Sequence, residues 1–159
     1  MTSKTTASFR IGQNRLLKLA DILDEAQKKY DRLKASKKFK KGEMGYDQKR
    51  FVHECGTPAC ALGHWAVHNP RRWRVKDGIP AFRGVMDPLS ASCYQYGARR
   101  VEANGVTAAT KDFGINLMES VKLFDGDGCG NARKASTAAK YIRRFVARRQ
   151  RDRLTGKQP

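Results

Sequence analysis

The stretch from His53 to His68, HECGTPACALGHWAVH, holds all three histidines of the 159-residue chain and two of its four cysteines. Imidazole and thiolate groups are preferred zinc ligands, and they also serve as the base and the nucleophile of cysteine enzymes. On a helix beginning at Pro58, Cys60 and His64 would stand at i and i+4 and project from one face. If the protein has a zinc site or a catalytic cysteine, we therefore expect it in this segment.

A zinc site here would use Cys55, Cys60 and His64, with a further ligand from elsewhere such as Cys93 or Cys129. Zinc fingers normally place about a dozen residues between their two ligand pairs, so that separate elements converge on the ion. Only three residues separate Cys60 from His64. We therefore predict no resident cofactor and keep zinc as the alternative.

A catalytic cysteine is a second hypothesis, because a helix N-terminus favours the thiolate form of a nearby thiol. The sequence identifies no Asn or Asp that would orient His64 as its base. Free cysteine is among the most buried residue types, so a core role for Cys60 is the third interpretation. Small side chains that allow close helix packing occupy the same segment: Ala59, Ala61, Gly63 and Ala66. We predict the core role and no enzymatic activity.

The elements that position this segment are predicted to be mainly helical. Apolar residues recur at helical spacing from Asn14, the predicted N-cap, to about Lys34, and a short helix is expected over 58–68. Thr107 and Asn116 are predicted to cap two further short helices, with Gly114 between them. A last helix is predicted over roughly 137–149.

Glycine and proline punctuate residues 71–106 and allow a small β-hairpin there. The predicted fold is thus mainly α, a compact bundle of one long and several short helices with that hairpin. The length suits a single domain. We place this domain at 14–149, between a flexible N-terminal segment (1–13) and a basic flexible tail (150–159).

Four motifs, in the order LLKLADIL, CGTPACALGHW, FGINLMESVKLF and ASTAAKYIRRF, resemble those of a group of small uncharacterised proteins from bacteria and tailed phages. The group shares an LLKLADFL-type helix, a CGTxACALGxA motif and a C-terminal AAxxIRRF helix, and the resemblance covers nearly the whole chain. It implies a bacterial or phage origin and no particular activity. The sequence departs from the group in its lysine-rich 34–41 stretch, its DGDGCGN loop and its basic C-terminus.

Positive charge dominates the composition, with 33 Lys and Arg against 15 Asp and Glu, a formal charge of +18. A charge of this size favours a polyanionic partner, so nucleic acid is the predicted ligand. The chain has no apolar run long enough for a membrane span, and its start, MTSKTTASFRIGQ, lacks a secretory signal. We therefore predict no membrane association and a cytoplasmic location, in the bacterial host cell if the protein is phage-encoded.

The last helix is the strongest candidate interface. Lys140, Arg144, Arg148 and Arg151 recur at i, i+4, i+8 and i+11, opposite an apolar stripe. Basic clusters around Phe39 and Trp73 add rings suited to base stacking, with a core anchor as the alternative for Trp73. The predicted nucleic-acid-binding residues are Lys37, Lys38, Lys40, Lys41, Arg71, Arg72, Lys140, Arg143, Arg144, Arg148, Arg149 and Arg151.

The alternative function is a protein-interaction module. Its basic surface would dock an acidic partner, either as a phage factor on a host protein or as a subunit of a nucleoprotein or virion assembly. The sequence has no RNA-binding signature and only a weak helix-turn-helix pattern, so it predicts phosphate contacts rather than base-specific recognition.

Overall fold

A computed structural model describes residues 3–36, 46, 59–76, 79–86, 102–125, 128–129 and 132–156. The mainly helical fold with one long helix and a small antiparallel hairpin is confirmed. Across the described ranges, no helix is long and apolar enough to cross a membrane. The elements in chain order are α1 (Ser3–Ala35), α2 (Ala61–His68), β1 (Trp73–Lys76), β2 (Ile79–Met86), β3 (Glu102–Asn104), α3 (Gly105–Phe113), α4 (Leu117–Phe124) and α5 (Ala135–Leu154).

Helices α1 and α5 form a long antiparallel pair. The Gln27 side chain accepts a hydrogen bond from the backbone N–H of Ala135 at 3.0 Å, where α5 begins. Toward the other end of α5, the amide of Gln150 donates to Gln13 at 3.4 Å. Because the contacts move toward the start of α1 as they move along α5, the two helices run in opposite directions.

Regular apolar spacing explains why these two helices pack together. The buried positions of α1 follow the i, i+3, i+4, i+7 pattern of a helix with one core face. The α5 stripe predicted from the sequence is likewise buried. The residues concerned are Leu16, Leu19, Ala20 and Leu23 in α1 and Ala138, Ile142, Phe145 and Val146 in α5.

The ends of both long helices extend beyond their predicted limits. Helix α1 already begins at Ser3, so Asn14 lies inside it and the prediction that Asn14 caps it is wrong. Gly12 and Gln13, placed in a flexible segment by the sequence, are buried. Helix α5 continues to Leu154, into the predicted tail. Tertiary contacts lengthen helices in ways that hydrophobic periodicity alone does not reveal.

Helix α2 begins at Ala61, three residues later than predicted, and Thr57 and Pro58 lie outside the described residues. Cys60 occupies the N-cap position in an extended conformation, and its side chain makes no capping hydrogen bond. All positions from Ala61 to Ala66 are buried, as the small residues of this segment predicted.

The strands place an aromatic pair against the helices. Strand β1 pairs antiparallel with β2, with Trp73 opposite Phe82, and their rings meet edge to face at a centroid distance of 5.5 Å. Strand β3 pairs with the other edge of β2 and leads directly into α3. Sequence patterning allowed a hairpin here, and the structure supplies its register.

The junction between α3 and α4 is built as the sequence predicted. Gly114 adopts a positive φ of 60° after the last residue of α3, a conformation that glycine adopts at no steric cost. Asn116 caps α4 in a full capping box: its side chain accepts from the Glu119 N–H at 2.8 Å, and Glu119 accepts from the Asn116 N–H at 2.9 Å.

Helix α1 crosses the end of α3 at Gly12. A Cβ atom at this position would lie 2.0 Å from the carbonyl oxygen of Phe113 and 2.7 Å from its carbonyl carbon. Both atoms are backbone, so no side-chain rotation could relieve the clash. Glycine at position 12 therefore permits the close contact between the two helices.

Gly12→Ala is expected to destabilise the protein by a net of up to about 2 kcal/mol, because overpacking usually costs about 1–3 kcal/mol. The clash would outweigh the gain of about 1 kcal/mol that alanine brings to a helix interior. Urea unfolding followed by circular dichroism measures the difference. The exposed Asn14→Ala in the same helix is the control and should stay within about 0.5 kcal/mol of the parent; a Gly12→Ala variant of equal or greater stability would contradict the close contact.

Candidate functional site

Four cationic side chains line the outer face of α5. Lys140, Arg144, Arg148 and Arg151 are all exposed, on the side of the helix opposite the buried stripe. At 1.5 Å per residue they extend over about 16 Å of the helix axis. These four residues are called the cationic ridge below.

The ridge carries its charge without internal neutralisation. Among the residues that the structure describes, none of Lys140, Arg144 and Arg151 forms an ion pair. The guanidinium of Arg148 lies over the Phe145 ring, 5.6 Å from its centroid, which restrains the side chain without cancelling its charge. The ridge is therefore available to an external anion.

Arg143, on the flank of the same helix, forms ion pairs within the fold. Its guanidinium bridges two carboxylates of α1, Asp21 at 2.8 Å and Asp24 at 2.7 Å. Burial opposes the charged form, but the two carboxylates outweigh it and raise the pKa of Arg143. This predicted nucleic-acid contact thus joins α5 to α1.

Arg149 is also held inside the protein. Its Nε atom lies 3.1 Å from Glu119 Oε1, in an ion pair whose N–H is not aligned for a hydrogen bond. The Arg149 guanidinium donates to the Gly114 carbonyl at 3.3 Å and lies over the Phe9 ring at 4.9 Å. Burial lowers the pKa of Arg149, and Glu119 acts against that shift. Arg149 therefore joins α5 to α4 and α1.

The remaining predicted contacts divide in the same way. Arg71 is exposed in the turn before β1, whereas Arg72 pairs with a buried carboxylate. Trp73 is fully buried, so its proposed base-stacking role is wrong and its alternative as a core anchor holds. Four predicted lysines and the ring between them lie outside the described residues: Lys37, Lys38, Phe39, Lys40 and Lys41.

The buried carboxylate is Asp112 in α3, which the sequence analysis did not single out. Its Oδ2 accepts hydrogen bonds from the indole nitrogens of Trp65 and Trp73, each at 2.6 Å. Its Oδ1 pairs with Arg15 at 3.1 Å and Arg72 at 2.8 Å. With the side chain fully buried, four charge-assisted contacts use the acceptor capacity of the carboxylate completely.

A sequence signal for Asp112 exists in retrospect. The residue falls on the core face of α3, at i+4 from Ala108 and i+3 from Ala109, both fully buried. A charged residue on an otherwise apolar face implies a buried partner, because an isolated ion is costly in the core. Nothing in the local pattern identifies partners from α1, α2 and β1.

Both thiols among the described residues lie in the protein core: Cys60 as the core interpretation predicted, and Cys129 without a prediction of its burial. Cys60 and Cys129 are each 0% exposed and belong to the main buried cluster. Burial raises the pKa of Cys129 well above that of an ordinary thiol, and the nearby Cys60 adds to the shift. Both effects disfavour the thiolate that a nucleophile or a zinc ligand requires.

The proposed zinc trio lies partly outside the described residues, because Cys55 is not among them, and neither is Cys93. His64 is buried on α2, one turn after Cys60. In the described part of the chain, no three His, Cys, Asp or Glu side chains are grouped as a metal site would require. The absence of a resident cofactor stays a prediction, with zinc as its alternative.

No protein-family model matches the chain, and no curated protein or solved structure matches it significantly. The motif resemblance to small bacterial and phage proteins also stays a prediction. The arrangement of residues described above is therefore the basis for inferring function.

Asp112→Asn is expected to destabilise the protein by about 3–5 kcal/mol, the usual cost of removing one partner from a buried ion pair. The amide would leave Arg15 and Arg72 without a compensating charge and would turn an N–H group toward existing donors. Equilibrium unfolding in urea measures the loss. Asp125→Asn, the same change at an exposed position, should alter stability by less than about 0.5 kcal/mol; equal effects of the two changes would argue against the Asp112 network.

Cys60 and Cys129 are expected to resist iodoacetamide in the native protein, because their thiols are buried and the raised pKa of Cys129 suppresses its thiolate. If exposure requires unfolding by about 5 kcal/mol, native labelling should be at least about a thousandfold slower than in guanidinium chloride. It should stay slow when the pH passes the ordinary thiol pKa of about 8.5. Peptide mass spectrometry measures both rates, and rapid native labelling of Cys60 would restore the catalytic hypothesis.

Proposed function

We propose that the protein binds nucleic acid without enzymatic action, through phosphate contacts made by the cationic ridge of α5. The observation that carries the proposal is the division of cations on this helix. Arg143 and Arg149 form ion pairs with carboxylates of α1 and α4. The ridge has no acidic partner among the described residues. A surface that leaves cations unpaired in this way suits a polyanion.

The backbone beneath the ridge supports the same function. The Arg143 ion pairs and the buried stripe anchor α5 on α1, so the four cations project from a fixed helix. Along one DNA strand, successive phosphates rise by 3.4 Å. A ridge of about 16 Å therefore passes roughly five of them.

Local charge favours phosphate contacts further. Helix α5 contains seven Lys or Arg residues and a single acidic residue, Asp152. Each ridge cation that meets a phosphate displaces condensed counterions, which makes the affinity depend on salt rather than on base sequence. We therefore infer binding that does not depend on base sequence. The exposed Arg71, in the turn before β1, adds a cation outside the ridge.

Replacing Arg144, Arg148 and Arg151 together by Gln should weaken binding to a labelled duplex by about 100-fold at 0.15 M salt, because each lost phosphate contact removes about 0.7 decades of affinity. The slope of log K against log salt should fall by about 2.7 in magnitude, at 0.9 per contact. Fluorescence anisotropy across a salt series, with duplexes of different sequence, measures both quantities.

The matched control replaces Lys18, Lys29 and Lys34 of α1 by Gln. These lysines are exposed and have no ion pair in the described residues, so the control removes the same charge from a different helix. It should lose much less affinity. Equal losses in the two triple variants would mean that net charge, and not the ridge, determines binding.

The alternative, docking to an acidic protein, predicts a different result from material purified out of the native cell. A stoichiometric protein complex that survives nuclease and depends on the ridge would favour that alternative. A ridge-dependent complex that nuclease disperses would favour nucleic acid.

A further inference from the structure

Two arginines from distant parts of the chain converge on one carboxylate oxygen. Arg15 of α1 and Arg72 of the turn before β1 pair with Asp112 Oδ1 at 3.1 Å and 2.8 Å. The two guanidinium groups carry two positive charges, and Asp112 supplies one negative charge. One positive charge is therefore left over at this point.

Both guanidinium groups reach the protein surface. The side chain of Arg15 is 29% exposed and that of Arg72 is 39% exposed, whereas the Asp112 side chain between them is fully buried. Toward the described residues, Arg15 bonds through its NH1 group alone, to the Asp112 carboxylate and backbone carbonyl, and Arg72 pairs through its NH2 group alone. A guanidinium has five N–H donors, so several remain for an external acceptor.

The fold restrains both groups in position. Arg15 also donates to the Asp112 carbonyl oxygen at 2.8 Å, and Arg72 lies over the Phe82 ring, 5.2 Å from its centroid. Asp112 is in turn fixed by the two indole donors described above. An anion entering this site would meet donors that have already lost their rotational freedom, which reduces the entropic cost of binding.

The electrostatics of the pair favour an added negative charge. Burial lowers the pKa of Arg15, the Asp112 carboxylate opposes that shift, and the neighbouring charge of Arg72 adds to it. Arg83 adds a third cation beside this turn, where its Nε donates to the carbonyl oxygens of Pro70 and of Trp73, the first residue of β1. An anion bound to both guanidinium groups would relieve their mutual repulsion.

We propose that Arg15 and Arg72 form a binding site for a phosphate group, with the buried Asp112 as the support that orients them. A phosphate offers several acceptor oxygens and a negative charge in a geometry that paired guanidinium groups match. The site is built from α1, α3 and the β1 turn, and includes no ridge residue, so it does not depend on the proposed function of α5.

The chain contains its own reporters for this site. Its only two tryptophans, Trp65 and Trp73, both donate to Asp112. Titration of the full-length protein with inorganic phosphate at constant ionic strength, followed by the two indole N–H signals in NMR, should give saturable shifts of both. Sodium chloride at matched ionic strength should not. Shifts that follow ionic strength alone would overturn the proposal.

Variants separate the site from general charge effects. Arg72→Lys keeps a positive charge beside Asp112 but loses the planar fork, and should raise the phosphate dissociation constant at least about fivefold. Lys111→Gln, at the exposed position next to Asp112 in α3, should leave it within about twofold. Melting curves establish that both variants are folded. Equal phosphate affinity in Arg72→Lys and the parent would overturn the site.

The source of the phosphate is distinguished with a short single-stranded oligonucleotide. Indole shifts with both probes support a nucleic-acid backbone as the ligand, and shifts with inorganic phosphate alone support a free phosphate group. The ridge variant with Arg144, Arg148 and Arg151 replaced should keep the phosphate-induced shifts. If the ridge variant keeps the phosphate-induced shifts but no longer binds the duplex, the phosphate site is separate from the ridge. If a folded ridge variant loses these shifts, a separate site is contradicted.

Discussion

The fold depends on the satisfaction of a single buried charge. Asp112 receives donors from α1, α2, β1 and the turn before it, so elements separated by up to 97 residues are joined at one carboxylate. A carboxylate in the core without partners would be strongly unfavourable. The arrangement therefore constrains assembly, because α1, α2 and the start of β1 must be in place against α3 before the charge is compensated.

This condition explains why an excess of arginine is compatible with a compact protein. Arg15, Arg72, Arg143 and Arg149 each meet a carboxylate of another element, and two of them, Arg72 and Arg149, also lie over aromatic rings. Arginine suits this use because its planar fork donates in several directions at once. On α5, the cations that lack such partners among the described residues lie on one face, so this helix separates structural charge from available charge.

Features that are encoded within a few neighbouring residues could be predicted from the sequence. They are the helical periods, the capping residue Asn116, the end of α3 at Gly114 and the buried stripe of α5. The early start of α1 could not, and neither could the close contact of Gly12 with the distant backbone of Phe113, because both lie outside the apolar periodicity of the sequence. The candidate interface was predicted as a set of cations. Only tertiary structure shows that Arg143 and Arg149 are neutralised, while Arg144 and Arg151 meet no carboxylate in the described part of the chain.

The pairing of the first helix with the last has a consequence for synthesis on the ribosome. Asp21 and Arg143, which join the two helices, lie 122 residues apart in the chain. The apolar face of α1 therefore has no α5 to cover it until the 122 residues that separate Asp21 from Arg143 have been translated. Late closure of this kind slows folding and leaves a hydrophobic helix exposed in the nascent chain, where a chaperone or a transient non-native contact would occupy it.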